Sequence, residues 1–169
     1  GLAGNPLPSL KGPIPVNAHA ELAALEALRP AHRALVIRLN RLFWSGGPKL
    51  LDDFARQARS YSRHGFDVEV QVRYHPTKTE VGDLTSWSAW VQHVVDVLGP
   101  IPGLVSLTIT NEVNLAISPN TSDGSFSAAK GALVHGVEAA YDELRQHHWE
   151  DRVKVGFTFA YRLDPLADS

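Results

Sequence analysis

Segments with strand-like and helix-like hydrophobic patterns alternate along this chain, and that alternation limits its fold more than any other feature. The patterns predict helices over 18–28, 49–64, 86–98 and 127–146, and strands over 34–39, 67–74, 104–110 and 153–159. Successive strands are separated by roughly 35 to 50 residues, which is typical of parallel β-α-β units. We therefore predict a single α/β domain in which residues 1–16, rich in Gly and Pro, form an irregular leading segment.

The polarity of the predicted strands distinguishes between two architectures built from such units. An open doubly wound sheet buries both faces of its strands, whereas a barrel buries its outer face under helices and has an inner face that becomes polar near the active end. The second strand alternates between the apolar Val68, Val70 and Val72 and the polar Glu69, Gln71, Arg73 and His75. The first and third strands alternate similarly. This favours a partial (β/α)8 TIM barrel, with an open α/β sheet that binds a small ligand at its strand ends as an alternative.

Composition excludes several kinds of partner and site. A net charge of −2 argues against binding to nucleic acid or to a membrane surface, because either needs a concentrated basic patch. The absence of cysteine excludes disulfides and thiolate chemistry, and it fits a secreted or a cytoplasmic protein equally well. The sequence begins at Gly1 and contains no methionine, so we expect it to be part of a longer polypeptide.

The run Thr110-Asn111-Glu112-Val113-Asn114 follows the third predicted strand and contains the strongest candidates for catalysis. A glutamate at the inner end of a barrel strand meets the requirement for a general acid, which must be protonated while a second carboxylate is ionised. Asn111 can donate a hydrogen bond to a ligand hydroxyl, and Arg38 can orient a second carboxylate. Trp44 and Tyr74 follow strands, and their rings are expected to stack on a flat apolar ligand surface at the mouth, such as the C–H face of a pyranose.

This strand end resembles clan A of the glycoside hydrolases, the 4/7 superfamily of (β/α)8-barrel enzymes, whose fourth barrel strand ends in Asn-Glu. The resemblance implies that Glu112 is the general acid/base and that Asn111 holds the sugar 2-hydroxyl. It implies that the four predicted strands are barrel strands two to five. Arg38 then lies where the clan often keeps an arginine near the nucleophile, and His75 where several families keep a substrate-binding histidine.

The clan places its nucleophilic glutamate after the seventh barrel strand, and this sequence ends soon after the fifth. We therefore expect the nucleophile and the rest of the barrel to lie outside this chain, which alone should be inactive. The resulting hypothesis is a retaining O-glycoside hydrolase that acts on a β-linked glycan or glycoside. A non-catalytic carbohydrate-binding or scaffold barrel is the alternative hypothesis.

Ordinary structural explanations compete for the same residues. Glu112 can be a solvated loop residue, Arg38 can form an ion pair with Glu69 that only fills the barrel, and His75 can belong to an ordinary loop. Trp87 and Trp90 lie on the apolar face of a predicted helix and are expected in the core. His147-His148 at a helix end is expected to favour the helix dipole, and no histidine spacing is typical of a metal site. We predict no metal and no cofactor.

Overall fold

The computed structural model describes residues 17–161 and the backbone of three short strands within the leading segment, β1 (Leu2–Ala3), β2 (Pro8–Ser9) and β3 (Gly12–Pro13). Residues 1–16, which we expected to form an irregular segment, include these short strands and otherwise lie outside the described residues. The remaining strands are β4 (Val36–Phe43), β5 (Asp67–Arg73), β6 (Leu104–Ile109) and β7 (Lys154–Gly156). The helices are α1 (Ala18–Leu28), α2 (Gly47–Arg63), α3 (Leu84–Leu98) and α4 (Ala129–Gln146). Every predicted helix and strand is present. The largest difference is in β4, which begins two residues later and ends four residues later than predicted, and β7 is shorter than predicted.

The main sheet is parallel and has five strands in the order β1-β4-β5-β6-β7, while β2 and β3 pair with each other. Its spatial order therefore follows the chain order without reversal. Because crossovers between parallel strands are right-handed, steps that all go in one direction place the connecting helices on one face of the sheet. In the described part of the chain the sheet is not closed, and β1 and β7 are its edges. The structure thus shows an α/β fold in which helices alternate along the chain with the strands of a parallel sheet.

Local signals explain where the helices begin and end. The Asn17 side chain caps α1 by accepting a hydrogen bond from Ala20 N at 3.1 Å, and Asp83 caps α3 through Ser86 N at 3.0 Å. Pro48 lies in the first turn of α2, and Gly65 follows that helix with a φ of 73°, a left-handed conformation that favours glycine. None of the described helices is both long and apolar enough to cross a membrane.

The core lies between the sheet and the helices. The strand residues that face the helices are almost completely buried: Ile37, Leu39, Val68, Val70, Val72, Leu107 and Ile109. Trp87 is fully buried, and its indole Nε1 donates a hydrogen bond of 2.7 Å to Ala132 O, which joins α3 to α4. Trp90 is also buried, so the predicted core positions of both tryptophans are confirmed. The polar side chains of the same strands lie on the opposite face of the sheet.

Gly136 allows α4 to pack closely against α3 and β6, and this gives a test of the core. A Cβ atom there would lie 2.7 Å from Ile109 Cγ2 and 2.8 Å from Trp87 Nε1. We expect Gly136→Ala to lower the free energy of unfolding by about 1–3 kcal/mol because of this overpacking, as measured by urea denaturation. The control is Gly131→Ala in the same helix, where the added Cβ meets only the flexible end of the Leu84 side chain. The control should be neutral or stabilising by up to about 1 kcal/mol, and equal losses in both variants would contradict the packing described.

Candidate functional site

An open cleft of about 430 Å³ lies on the polar face of the sheet, beside the middle of β4 and the ends of β5 and β6. It is lined by Arg38, Asn40, Arg41, Gln71, Arg73, Asn111, Glu112, Asn120, Thr121, Thr158 and Phe159. The structure thus brings three of the predicted site residues, Arg38, Asn111 and Glu112, to one surface. The carboxyl ends of parallel strands are where α/β folds of both open and closed kinds place their ligand sites.

Glu112 is half-buried and is held in this cleft by its main chain. Its N–H donates a hydrogen bond of 2.9 Å to Thr158 O, whereas its carboxylate has no hydrogen-bond or ion-pair partner within residues 17–161. The φ angles of Thr110 and Glu112 are 63° and 50°, in the left-handed region that side-chain-bearing residues rarely adopt. Such strain tends to occur at functional sites, where the surrounding structure enforces it. Because its carboxylate has no partner among the described residues and lies in the cleft, Glu112 is available to a ligand.

Asn111 is fixed by hydrogen bonds that use most of its amide group. Its Oδ1 accepts from Gln71 Nε2 and from Thr158 Oγ1, each at 3.0 Å, and its Nδ2 donates to Thr121 O at 2.8 Å. A side-chain amide has two donor hydrogens and two acceptor positions. One amide hydrogen of Asn111 is therefore left, which is sufficient for a single hydrogen bond to a ligand hydroxyl.

Arg38 forms the ion pair with Glu69 that the sequence offered as an ordinary structural explanation. Its Nε lies 3.0 Å from Glu69 Oε1, but the N–H is not directed at that oxygen, so the contact is an ion pair without a hydrogen bond. Glu69 Oε1 also accepts a hydrogen bond of 3.1 Å from Thr108 Oγ1. The Arg38 side chain keeps about a third of its surface exposed and lines the cleft, so it can also contact a second carboxylate there.

Asp123 supports the Asn111-Glu112 turn from beneath. Its fully buried carboxylate accepts a hydrogen bond of 2.7 Å from Arg73 Nε through Oδ1, and Oδ2 accepts from Tyr74 N at 3.1 Å and from Asn111 N at 2.8 Å. Burial raises the pKa of Asp123 to about 6, against the opposing effects of Arg73 and of the two backbone N–H groups. The group is thus mostly ionised at neutral pH. Asp123 N also donates to Asn111 O at 2.8 Å, so this residue fixes the turn from both sides.

A β-bulge in β4 contributes two further residues to the cleft. The pairing between β4 and β5 shifts between Leu39 and Leu42, and Asn40 and Arg41 occupy the bulge. Arg41 is exposed and has a φ of 68°. Bulges redirect side chains at the ends of strands and are common beside active sites. Both residues line the cleft, and neither was predicted as a site residue from the sequence.

The three aromatic residues predicted at the site lie elsewhere. Tyr74 is fully buried among the rings of Trp44, Trp87 and Phe126, and its hydroxyl accepts a hydrogen bond from Gly82 N at 3.0 Å. Trp44 is buried in the same aromatic cluster, so neither residue is placed to stack on a sugar in the cleft. His75 packs against Phe43 with a centroid separation of 4.4 Å, and its Nδ1 lies 3.0 Å from Ser45 Oγ. Among the described residues the aromatic side chain that lines the cleft is that of Phe159, which is about half exposed.

Comparison with known protein families and with curated proteins finds no match to this sequence. Among the described residues that line the cleft, Glu112 is the only carboxylate, and it is accompanied by three arginines and several amide or hydroxyl groups. Such a set can hydrogen-bond a polyhydroxylated or anionic ligand and can exchange one proton with it.

Proposed function

We propose that this chain forms the acid/base half of a retaining O-glycoside hydrolase that acts on a β-linked glycan or glycoside. Glu112 is the general acid/base, and the nucleophilic glutamate is supplied by a part of the barrel outside this chain. The observation that carries the proposal is the carboxyl group of Glu112, which has no partner among residues 17–161 and lies just after β6, beside Asn111 and in the same cleft as Arg38. No metal or cofactor is needed for this reaction class.

The sheet supports placing this site in a (β/α)8 barrel. Its strands follow one another in chain order, so it has no reversal of strand order of the kind at which open doubly wound sheets bind ligands. The polar residues Arg38, Glu69 and Gln71 lie on the face away from the helical core, as the inner face of a barrel requires. Strand β1 pairs with β4 in parallel, in the position that a first barrel strand would occupy beside strands two to five.

The reaction is determined by the groups in the cleft. In the first step Glu112 donates its proton to the glycosidic oxygen as the bond from that oxygen to the sugar breaks, and the second carboxylate forms an ester with the anomeric carbon. In the second step Glu112 removes a proton from water, whose oxygen attacks the same carbon and releases the second carboxylate. The remaining amide hydrogen of Asn111 binds a sugar hydroxyl, a contact that strengthens in the transition state. Arg38 favours the ionised form of the nucleophile through its charge.

A carbohydrate-binding barrel without catalysis is the second candidate, and one observation favours it. In the described part of the chain the cleft has a single carboxylate, whereas retention requires two carboxyl groups about 5 Å apart. The arginine and amide groups of the lining are sufficient to bind a glycan without any reaction. This candidate differs from the enzyme only in that it releases the bound glycan unchanged.

One experiment distinguishes the two candidates. The complete natural polypeptide and its Glu112→Gln variant are assayed on a panel of aryl β-glycosides, and glycan binding is measured in parallel by calorimetry. The enzyme proposal expects hydrolysis by the parent protein, a large loss in the variant and similar binding by both. Binding without hydrolysis by the parent supports the carbohydrate-binding barrel. Undiminished hydrolysis by the variant would exclude Glu112 as the acid/base.

A further inference from the structure

A second polar cluster, formed by Asp96, Glu143 and His147, lies between the C-terminal ends of α3 and α4. His147 Nε2 is 3.1 Å from Asp96 Oδ1 and 3.1 Å from Glu143 Oε1, and the three side chains offer ligand atoms that all lie within 4.8 Å of one another. None of the three lines the cleft. Because the helices run antiparallel to the strands they connect, their C-terminal ends lie at the opposite end of the sheet from the cleft.

The buried carboxylate of the cluster, that of Glu143, has a single donor in the described part of the chain. Glu143 is only 8% exposed, and within the described part of the chain its carboxylate contacts His147 Nε2 alone. Asp96 approaches the same ring nitrogen from the other helix. A ring nitrogen carries at most one hydrogen, and a buried carboxylate without adequate compensation is costly. A cation between the three groups would satisfy both carboxylates at once.

We propose that Asp96, Glu143 and His147 form a Zn²⁺ site on the outer helical layer, with water as the fourth ligand. Zinc binds imidazole nitrogen and carboxylate oxygen at about 2.0–2.2 Å, so neighbouring ligand atoms of a tetrahedral site lie about 3.3 Å apart. The two separations of 3.1 Å are close to this requirement. Glu143 in the last turn of α4 and His147, the C-cap residue, are four residues apart, and this places both on one side of the helix end.

The histidine is held in a suitable orientation before any ion binds. Its ring stacks on Trp149 with a centroid separation of 4.4 Å and an interplanar angle of 13°. This stacking limits the rotation of the ring and keeps Nε2 directed towards the two carboxylates. The bound ion would join the end of α3 to the end of α4. The sequence predicted no metal site because only the spacing of nearby residues was considered. Asp96 lies on a different helix from Glu143 and His147, so sequence spacing could not reveal that the three side chains meet.

The donor set also indicates which ions the site selects. One imidazole and two carboxylates suit zinc, which accepts four ligands of mixed type. Mg²⁺ and Ca²⁺ prefer six or more oxygen ligands and do not favour an imidazole. We therefore expect the cluster to bind Zn²⁺ and to discriminate against Mg²⁺.

The test is a calorimetric titration of the complete, tag-free chain with Zn²⁺ after treatment with a chelator. We expect one Zn²⁺ per chain and a rise in Tm with added Zn²⁺, because an ion that binds only the folded state stabilises it. His147→Ala and Asp96→Asn should each weaken binding by at least about tenfold. His148→Asn is the matched control, since it alters the adjacent histidine, which lies outside the cluster, and should bind Zn²⁺ normally.

Circular dichroism establishes that each variant is folded, and Asp96→Asn, a change at an exposed residue, carries the test if His147→Ala does not fold. The proposal is overturned if the parent chain binds no Zn²⁺. It is also overturned if Asp96→Asn binds as tightly as the parent, or if Mg²⁺ binds as tightly as Zn²⁺. Any of these results would make the cluster a hydrogen-bond network between His147 and the two carboxylates.

Discussion

Replacement of Glu112 by glutamine in the complete protein is expected to lower kcat/KM by about 10²–10⁴-fold for β-glycosides with poor leaving groups, the usual contribution of general acid–base catalysis. Glutamine has nearly the same shape as glutamate but cannot donate a carboxylic proton. The hydrogen bond from Glu112 to Thr158 O uses the main chain and is retained in the variant. The loss therefore reports the missing proton transfer and not a displaced turn.

The dependence on the leaving group makes this prediction specific. A dinitrophenyl leaving group departs as a stable anion and needs little protonation, so the first chemical step on such a substrate should be affected much less than on an alkyl glycoside. The control is Glu138→Gln, a change at an exposed residue of α4, which should leave all rates unchanged. Equal losses for every leaving group would assign Glu112 to substrate orientation and would contradict its role as an acid.

The alternation of polarity along β5 is the part of the fold and site that the sequence predicted best. Val68, Val70 and Val72 are fully buried under the helices, while Gln71 and Arg73 reach the cleft. A strand has a side-chain period of two, so one covered face and one polar face are visible in the sequence alone. The same reasoning predicted that Arg38 and Glu112 lie on the polar side, and both line the cleft. Arg38 was also expected near the end of its strand, but it is the third residue of β4 because this strand continues to Phe43.

The side-chain period of two along a strand also explains why the predicted position of Tyr74 at the mouth of the site was an error. Tyr74 has the same parity as Val68, Val70 and Val72 and continues their face into the core, where it is fully buried. The position of Trp44 was harder to predict because the bulge at Asn40–Arg41 changes the parity of β4 before this residue. A bulge of this kind depends on pairing with β5, and the local sequence carries no clear signal for it.

Asp123 shows what sequence reasoning of this kind does not detect. Its partners are Arg73, fifty residues earlier, and two backbone N–H groups, so its role depends on tertiary structure. In the sequence it stands before Gly124 in a polar loop, and Asp-Gly is typical of an ordinary turn. A buried residue that anchors the Asn111-Glu112 turn and a solvated turn residue have the same local sequence, so the difference lies in the tertiary contacts.

Replacement of Asp123 by alanine is expected to lower the free energy of unfolding by about 3–5 kcal/mol, because removal of one partner leaves the other charge buried and unpaired. Arg73 is 2% exposed and would lose its carboxylate, and the N–H groups of Tyr74 and Asn111 would lose their acceptor. The measurement is urea denaturation at pH 7. Asp53→Ala is the control, because Asp53 pairs with Lys49 and Arg56 on the exposed side of α2 and should change stability by no more than about 1 kcal/mol.

A double variant tests whether the buried charge itself causes the loss. Arg73→Met combined with Asp123→Leu removes both charges and replaces them with apolar groups, and such replacements in buried ion pairs are often close to neutral. The single variants of this cycle are Arg73→Met and Asp123→Leu. The double variant should lose less free energy of unfolding than the sum of these two losses, and the difference, the coupling energy, should be roughly 1–3 kcal/mol. Additive losses would mean that Asp123 and Arg73 act independently. A loss in Asp123→Ala no larger than in Asp53→Ala would mean that the Glu112 turn does not depend on this anchor.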